Sequence, residues 1–162
     1  MLTPEQKDQY HRQGYLAIPD FFDPDPLMRR AKEILNIDFT QLPHTKFTTR
    51  IDDHIGDRHF LDSGDKVSFF FEKNADAFNA STVNKIGHAL HVQDNVFGNF
   101  TINQKIREIA SDLNFVKPQI LQSMIILKNV NIGSEVPPHT DSTFLYTKPV
   151  SAVGFWFAMQ KW

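Results

Sequence analysis

Pro118-Gln119-Ile120-Leu121-Gln122-Ser123-Met124-Ile125-Ile126-Leu127-Lys128-Asn129 is the stretch at which the chain changes texture. The run from Ile120 to Leu127 is nearly continuous in apolar residues and bounded by Pro118 and Asn129, which suits a buried strand over 119–128. A second such run, Ala152 to Met159, predicts another strand over 152–160. Between them lies Gly133-Ser-Glu-Val-Pro-Pro-His-Thr-Asp-Ser-Thr-Phe-Leu-Tyr146, with the triplet His139-Thr140-Asp141 at its centre. Residues two apart on extended backbone project from one face, so this imidazole and carboxylate can reach a single ion. Pro137-Pro138 stiffens the approach and disfavours helix. The pattern is short, with roughly 0.6 chance matches expected in a chain of this composition. Its plain alternative is a polar turn in which Asp141 caps the backbone of Ser142 or Thr143.

Upstream of Pro118 the signals are mostly helical. Thr3-Pro4-Glu5-Gln6 combines a capping hydroxyl, a proline at the first helical position and a returning Gln, and Gly14 is a natural stop, which predicts a helix over 4–13. Tyr15 to Ile18 reads as a short strand. Leu27, Met28, Ala31, Ile34 and Leu35 recur at helical spacing over 26–36, as do Ile102, Ile106, Ile109, Ala110 and Leu113 over 102–112. Val83, Ile86, Gly87 and Leu90 share an arc if Asn84 to His91 is helical. That places Lys85 on the opposite, solvated side. Val67 to Phe71 is a strand whose Phe69-Phe70-Phe71 straddles both faces, and Asp52 to His59 is a polar loop. Helices followed by strands, with a ligand pair at a strand edge, define an α+β chain of the type that flanks a double-stranded β-helix, or jelly roll, with helices. That architecture needs eight strands; four are credible here, so the jelly roll is incomplete.

Composition narrows the function. The 162 residues carry a net charge of -2, a pI near 6.4, 41% hydrophobic residues and a mean hydropathy of -0.36. Scattered Lys and Arg give no electrostatic footprint for nucleic acid, and no apolar run is long enough for a membrane helix, so a small-molecule ligand is expected. With no cysteine, any metal must be held by His and carboxylates. No signal, transmembrane or peroxisomal pattern is seen, so a cytoplasmic, single-domain protein is the expectation; the oligomeric state is left open.

Several strings together resemble the phytanoyl-CoA dioxygenase family, in particular its domain-containing subgroup. They are Gln13-Gly14-Tyr15-Leu16, Pro19-Asp20-Phe21-Phe22, Ser63-Gly64-Asp65-Lys66-Val67-Ser68-Phe69-Phe70-Phe71-Glu72-Lys73, Asn84-Lys85-Ile86-Gly87-His88-Ala89-Leu90-His91, Gln122-Ser123-Met124, and Pro138-His139-Thr140-Asp141 with Ser142 to Thr147. The resemblance implies an Fe(II)- and 2-oxoglutarate-dependent oxygenase acting on a small molecule, an acyl compound among the candidates. It also implies His139 and Asp141 as iron ligands, with Lys85, Met124, Thr140 and Trp156 beside the 2-oxoglutarate. On residue patterns alone, Met124 and Trp156 would be core, and His88 and His91 hydrogen-bonded helix residues.

The family's second iron His and its distal basic residue lie well downstream. No His follows His139 and no Arg follows Arg107. Residues 1–162 are therefore expected to be the N-terminal portion of a phytanoyl-CoA dioxygenase-like domain: a truncated gene model, a splice form or an engineered piece, inactive as it stands. A non-catalytic fragment or pseudoenzyme serving as a binding module is the alternative. A cupin-like binder is a third reading, which the Ser63 to Lys66 and Asn84 to His88 strings oppose.

Overall fold

A computed structural model describes residues 1–47 and 57–160. Three antiparallel strands, β1 (Val67–Phe71), β2 (Val83–His88) and β3 (Ser123–Ile126), form one sheet in the order β1-β2-β3. The α-helices are α1 (Pro4–Gln13), α2 (Asp25–Leu35), α3 (Arg58–Leu61), α4 (Leu90–Gln93), α5 (Asn95–Thr101) and α6 (Gln104–Asp112). The architecture is α+β with a small antiparallel sheet, and no closed jelly roll is formed among the described residues.

Local chemistry explains the helices. In α1, Thr3 Oγ1 accepts from Gln6 N–H, the Gln6 side chain accepts from Thr3 N–H, and Gly14 (φ 78°) closes the helix by donating to Tyr10 O. α2 buries Leu27 and lays Ala31, Ile34 and Leu35 against the core. In α6, Asn103 caps Ile106 N–H while Ile109 and Ala110 turn inward. The stretch read as loop ends in α3, where Asp57 caps Phe60 N–H; residues 52–56 of that stretch lie outside the described residues.

The largest correction falls on Asn84 to His91. Val83–His88 is the central strand, all six residues are buried, and helix begins only at Leu90. Hydrogen bonding to β1 on one edge and β3 on the other outweighs the helical arc that Val83, Ile86 and Leu90 suggest. Lys85 is consequently not solvated; it is 4% exposed.

Register assigns the faces. Phe69, Ile86 and Ile125 stand in a row across the sheet and point into a core with Leu27, Phe39, Phe71 and Leu90. Phe70, Lys85 and Ile126 form the neighbouring row on the other face, followed by Gly87 opposite Met124. The three phenylalanines therefore do straddle both faces. Thr45 to Phe47 adds to the outer edge of β1, with Phe71 N–H donating to Thr45 O and Phe47 N–H to Phe71 O.

Three further expectations change. Tyr15 to Ile18 forms no strand, and Tyr15 is exposed. The strand expected over 119–128 shrinks to Ser123–Ile126, leaving Ile120 and Leu121 exposed. Residues 152–160 form no strand either: with no neighbouring strand among the described residues to receive their N–H and C=O groups, they are held by side chains instead. Phe157 lodges between Phe22 and Phe100, with ring centroids at 5.6 and 4.9 Å.

Candidate metal and co-substrate site

The sequence candidates fall into two groups. The first is the loop carrying His139, Thr140 and Asp141, which the structure forms as a single 3-10 turn at Asp141–Thr143 rather than a strand edge. Pro137-Pro138 brings the chain in extended, and the turn is closed by Thr143 N–H donating to Thr140 O and Phe144 N–H to Asp141 O. His139 Nδ1 lies 2.9 Å from Pro137 O, which makes Nδ1 the protonated nitrogen and leaves the Nε2 lone pair unused. That Nε2 is 3.5 Å from Asp141 Oδ1. Among the described residues no backbone N–H takes the Asp141 carboxylate, so it is not spent on capping.

Metal-binding imidazoles commonly donate their second nitrogen to a carbonyl in this way, and an ion about 2 Å from each atom fits between Nε2 and Oδ1. Gly154 supplies the remaining room. A methyl group there would lie 2.6 Å from Asp141 Oδ2, the free end of a half-exposed side chain, so an alanine would displace the carboxylate from this position. The donor set suits a divalent cation but supplies two ligands. Among the described residues no group of three or more His, Cys, Asp or Glu could hold a metal ion. The pair is also open, with side chains 43% and 46% exposed.

The second group is on the sheet. Lys85 projects from β2 under three rings: its Nζ is 3.7 Å from the Phe47 centroid, 5.0 Å from Phe70 and 5.3 Å from Phe60. Burial pushes its pKa down to about 7. Close by, Ser63 Oγ donates to Phe60 O at 2.6 Å, so the 3.0 Å contact with His88 Nδ1 is a donation from the imidazole. Burial, then the Lys85 charge, pushes His88 down to about 4, so it is neutral. His88 is hydrogen-bonded as expected, though from a strand. His91, in α4, bonds Ser123 Oγ at 2.7 Å. Met124, beside Gly87, is 38% exposed and Trp156 is 70% exposed, so neither is core.

Glu72 links the groups. Wholly buried at the end of β1, it accepts through Oε2 from Ser134 N–H (3.0 Å) and Ser134 Oγ (2.6 Å), at the start of the segment leading to His139. Lys128 Nζ donates to Ser134 O. Sequence reading missed Glu72, Ser63, Gly154 and the phenylalanine cage. Only Gly154 had a visible signal, as a glycine inside an apolar run.

The loop thus carries a His-x-Asp pair with one protonated and one free imidazole nitrogen, and the sheet buries a lysine. The comparison with known families supplies the membership: the phytanoyl-CoA dioxygenase model matches residues 10–162, and the chain belongs to that family. It is 40% identical over 169 residues to a phytanoyl-CoA dioxygenase of Arabidopsis thaliana, covering 98% of this chain and 59% of the relative. It is 38% identical to phytanoyl-CoA dioxygenase domain-containing protein 1 of Danio rerio (99% and 60% covered) and 37% identical to that of Mus musculus (98% and 60%). The chain spans about 60% of the length of these relatives. No helix among the described residues is long and apolar enough to cross a membrane.

Proposed function

We propose that the chain is the N-terminal portion of an Fe(II)- and 2-oxoglutarate-dependent hydroxylase domain. In it, His139 Nε2 and Asp141 are two iron ligands, and Lys85, Met124, Thr140 and Trp156 border the co-substrate. The observation that carries this reading is the His139 ring, pinned through Nδ1 to Pro137 O with Nε2 turned to Asp141. When bound, the iron and 2-oxoglutarate supply an oxidation in which O2 is consumed, succinate and CO2 are released, and one oxygen atom enters a C–H bond of the substrate. The chain's residues do the positioning. Pro137-Pro138 and the Thr140 turn hold the two donors side by side, Gly154 leaves space for the carboxylate, and Lys85 offers a buried cation to a co-substrate carboxylate. Exposed Met124 and Trp156 provide apolar walls. The second iron His and a basic residue come from outside these residues, so the 162-residue chain alone binds iron weakly and does not turn over. The substrate is a small molecule, with an acyl compound suggested by the relatives' names.

The test is Fe(II)-dependent release of succinate from 2-oxoglutarate. We expect turnover from a chain extended to the length of the relatives, none from the 162-residue chain, and none from extended Asp141→Ala or His139→Ala. Equal turnover by the short chain would mean that another residue, such as His91, or a second subunit completes the site. A second reading, a non-catalytic fragment acting as a binding module, is favoured by the apolar residues the sheet leaves exposed, Ile120, Leu121, Met124 and Ile126. It predicts no turnover from either length.

A further inference from the structure

Lys85 is a buried amine with no counter-ion among the described residues. Its Nζ faces three π surfaces, and burial is the sole cause of its displaced titration: neither a hydrogen bond nor an opposite charge offsets it among the described residues. The titratable groups on the packed elements do not supply one. On β2 itself His88 is neutral and engaged with Ser63; α3 brings His59 and, at its cap, Asp57, whose carboxylate accepts from Phe60 N–H; Lys46 precedes Phe47. β1 and β3 contribute Phe70, Met124 and Ile126, none of them titratable.

We propose that carboxylate capture at Lys85 is proton-coupled: one anion and one proton enter the aromatic cage together. This rests on the reading of Lys85 as a co-substrate residue and adds how that contact is regulated. Ring faces attract an ammonium, but more weakly than the water it gives up, so the empty cage favours the neutral amine. An arriving carboxylate provides the opposite charge, and the filled cage favours the ammonium. The sign follows from the empty-cage value of about 7. Below that pH the ammonium is already present and the anion binds without proton uptake. Above it each anion must bring a proton, so affinity falls about tenfold per pH unit until the pKa of the filled cage is reached. A lysine of ordinary basicity would leave affinity flat from pH 7 to 9.

The experiment is a 13Cε-lysine NMR titration of the 162-residue chain without metal, with the Lys85 signal assigned from Lys85→Arg. It is run alone and with millimolar 2-oxoglutarate, and the Kd is followed from pH 6 to 9. We expect a midpoint near 7 in the empty cage, an upward shift of about one unit or more when 2-oxoglutarate is added, and a Kd that rises above pH 7 until the filled-cage midpoint is passed, by about tenfold in all for each unit of that shift. Lys85→Arg, ionised throughout, should bind without that pH dependence; should the variant not fold, the wild-type titration decides by itself. A midpoint near 10 in the empty cage, or a pH-independent wild-type Kd, overturns the coupling. If that pH-flat binding is nevertheless lost in Lys85→Met, the co-substrate reading survives the failure. If 2-oxoglutarate leaves the Lys85 signal unmoved and Lys85→Met binds as wild type, the reading and the coupling fall together.

Discussion

Lys85 and His139 are assigned by family resemblance to one centre, yet the chain treats them in opposite ways. Lys85 stands in the middle strand, with a partner strand on each edge and phenylalanines above it. His139 stands in a turn, nearly half exposed, tied only to its own loop through Pro137 O. The sheet region has its own core and sets its side chains by packing. The metal loop sets its side chains by local hydrogen bonds and leaves a face open. The difference separates a lysine enclosed by the sheet from a His-x-Asp pair that its loop leaves open.

The contrast breaks most readily at the core. Phe71 is wholly buried among Phe39, Phe78 and Val83, so Phe71→Ala should cost about 3–5 kcal/mol in denaturant unfolding, whereas Phe144→Ala on the exposed loop should stay within about 0.5 kcal/mol. Similar losses at both positions would mean that the loop packs as tightly as the sheet.

Glu72 tests how the regions are joined. Ser134→Ala removes the shorter of two bonds to a buried carboxylate oxygen and should cost about 1–3 kcal/mol. Replacing both partners, Glu72→Leu with Ser134→Ala, should cost less than the sum of the two single changes, because the hydroxyl–carboxylate bond is lost in each. Strict additivity in that cycle would show that the link is incidental.

Legibility followed the same division. α1 was readable to the residue because its signals, Thr3, Pro4, Gln6 and Gly14, are local. β1 was readable because three aromatics in a row have few other uses. β2 was misread for a physical reason: a strand buried on both faces shows no alternation, and Val83, Ile86 and Leu90 also satisfy a helical arc. What made it a strand was β1 and β3, which no window around Lys85 contains. The 152–160 run failed in reverse, with strand-like composition and no partner strand. The His139 pair was visible as a motif, but its tautomer depends on Pro137 O and its clearance on Gly154, contacts that exist only once the chain is folded.

Acid should expose the sheet region next. His88 titrates near 4 when folded and near 6.5 when unfolded, so between these values the unfolded chain binds the extra proton and stability falls as pH drops from 6.5 to 4. Lys85 acts at the other end: folded near 7 against 10.5 unfolded, it makes stability rise as pH climbs through that window. Urea midpoints across pH 4 to 9, compared with His88→Gln and Lys85→Met, isolate the two slopes. If the wild-type curves match those of the variants, both side chains are solvated and the cage is absent.

The smallest expected effect on stability is at the two residues proposed as iron ligands. His139→Ala and Asp141→Ala delete side chains that bury little and bond only within their own turn, so each should shift the unfolding free energy by less than about 0.5 kcal/mol. The same substitutions should abolish succinate release in the extended chain, because a metal held by three donors does not survive the loss of one. Gly154→Ala is the discriminating companion: it keeps every donor but pushes a methyl group to 2.6 Å from Asp141 Oδ2, and it should weaken metal affinity by roughly 10–100-fold with stability unchanged. A Gly154→Ala protein that binds metal like wild type would show that the carboxylate leaves this position when the site is filled, and the open loop would then be the part of the molecule that moves.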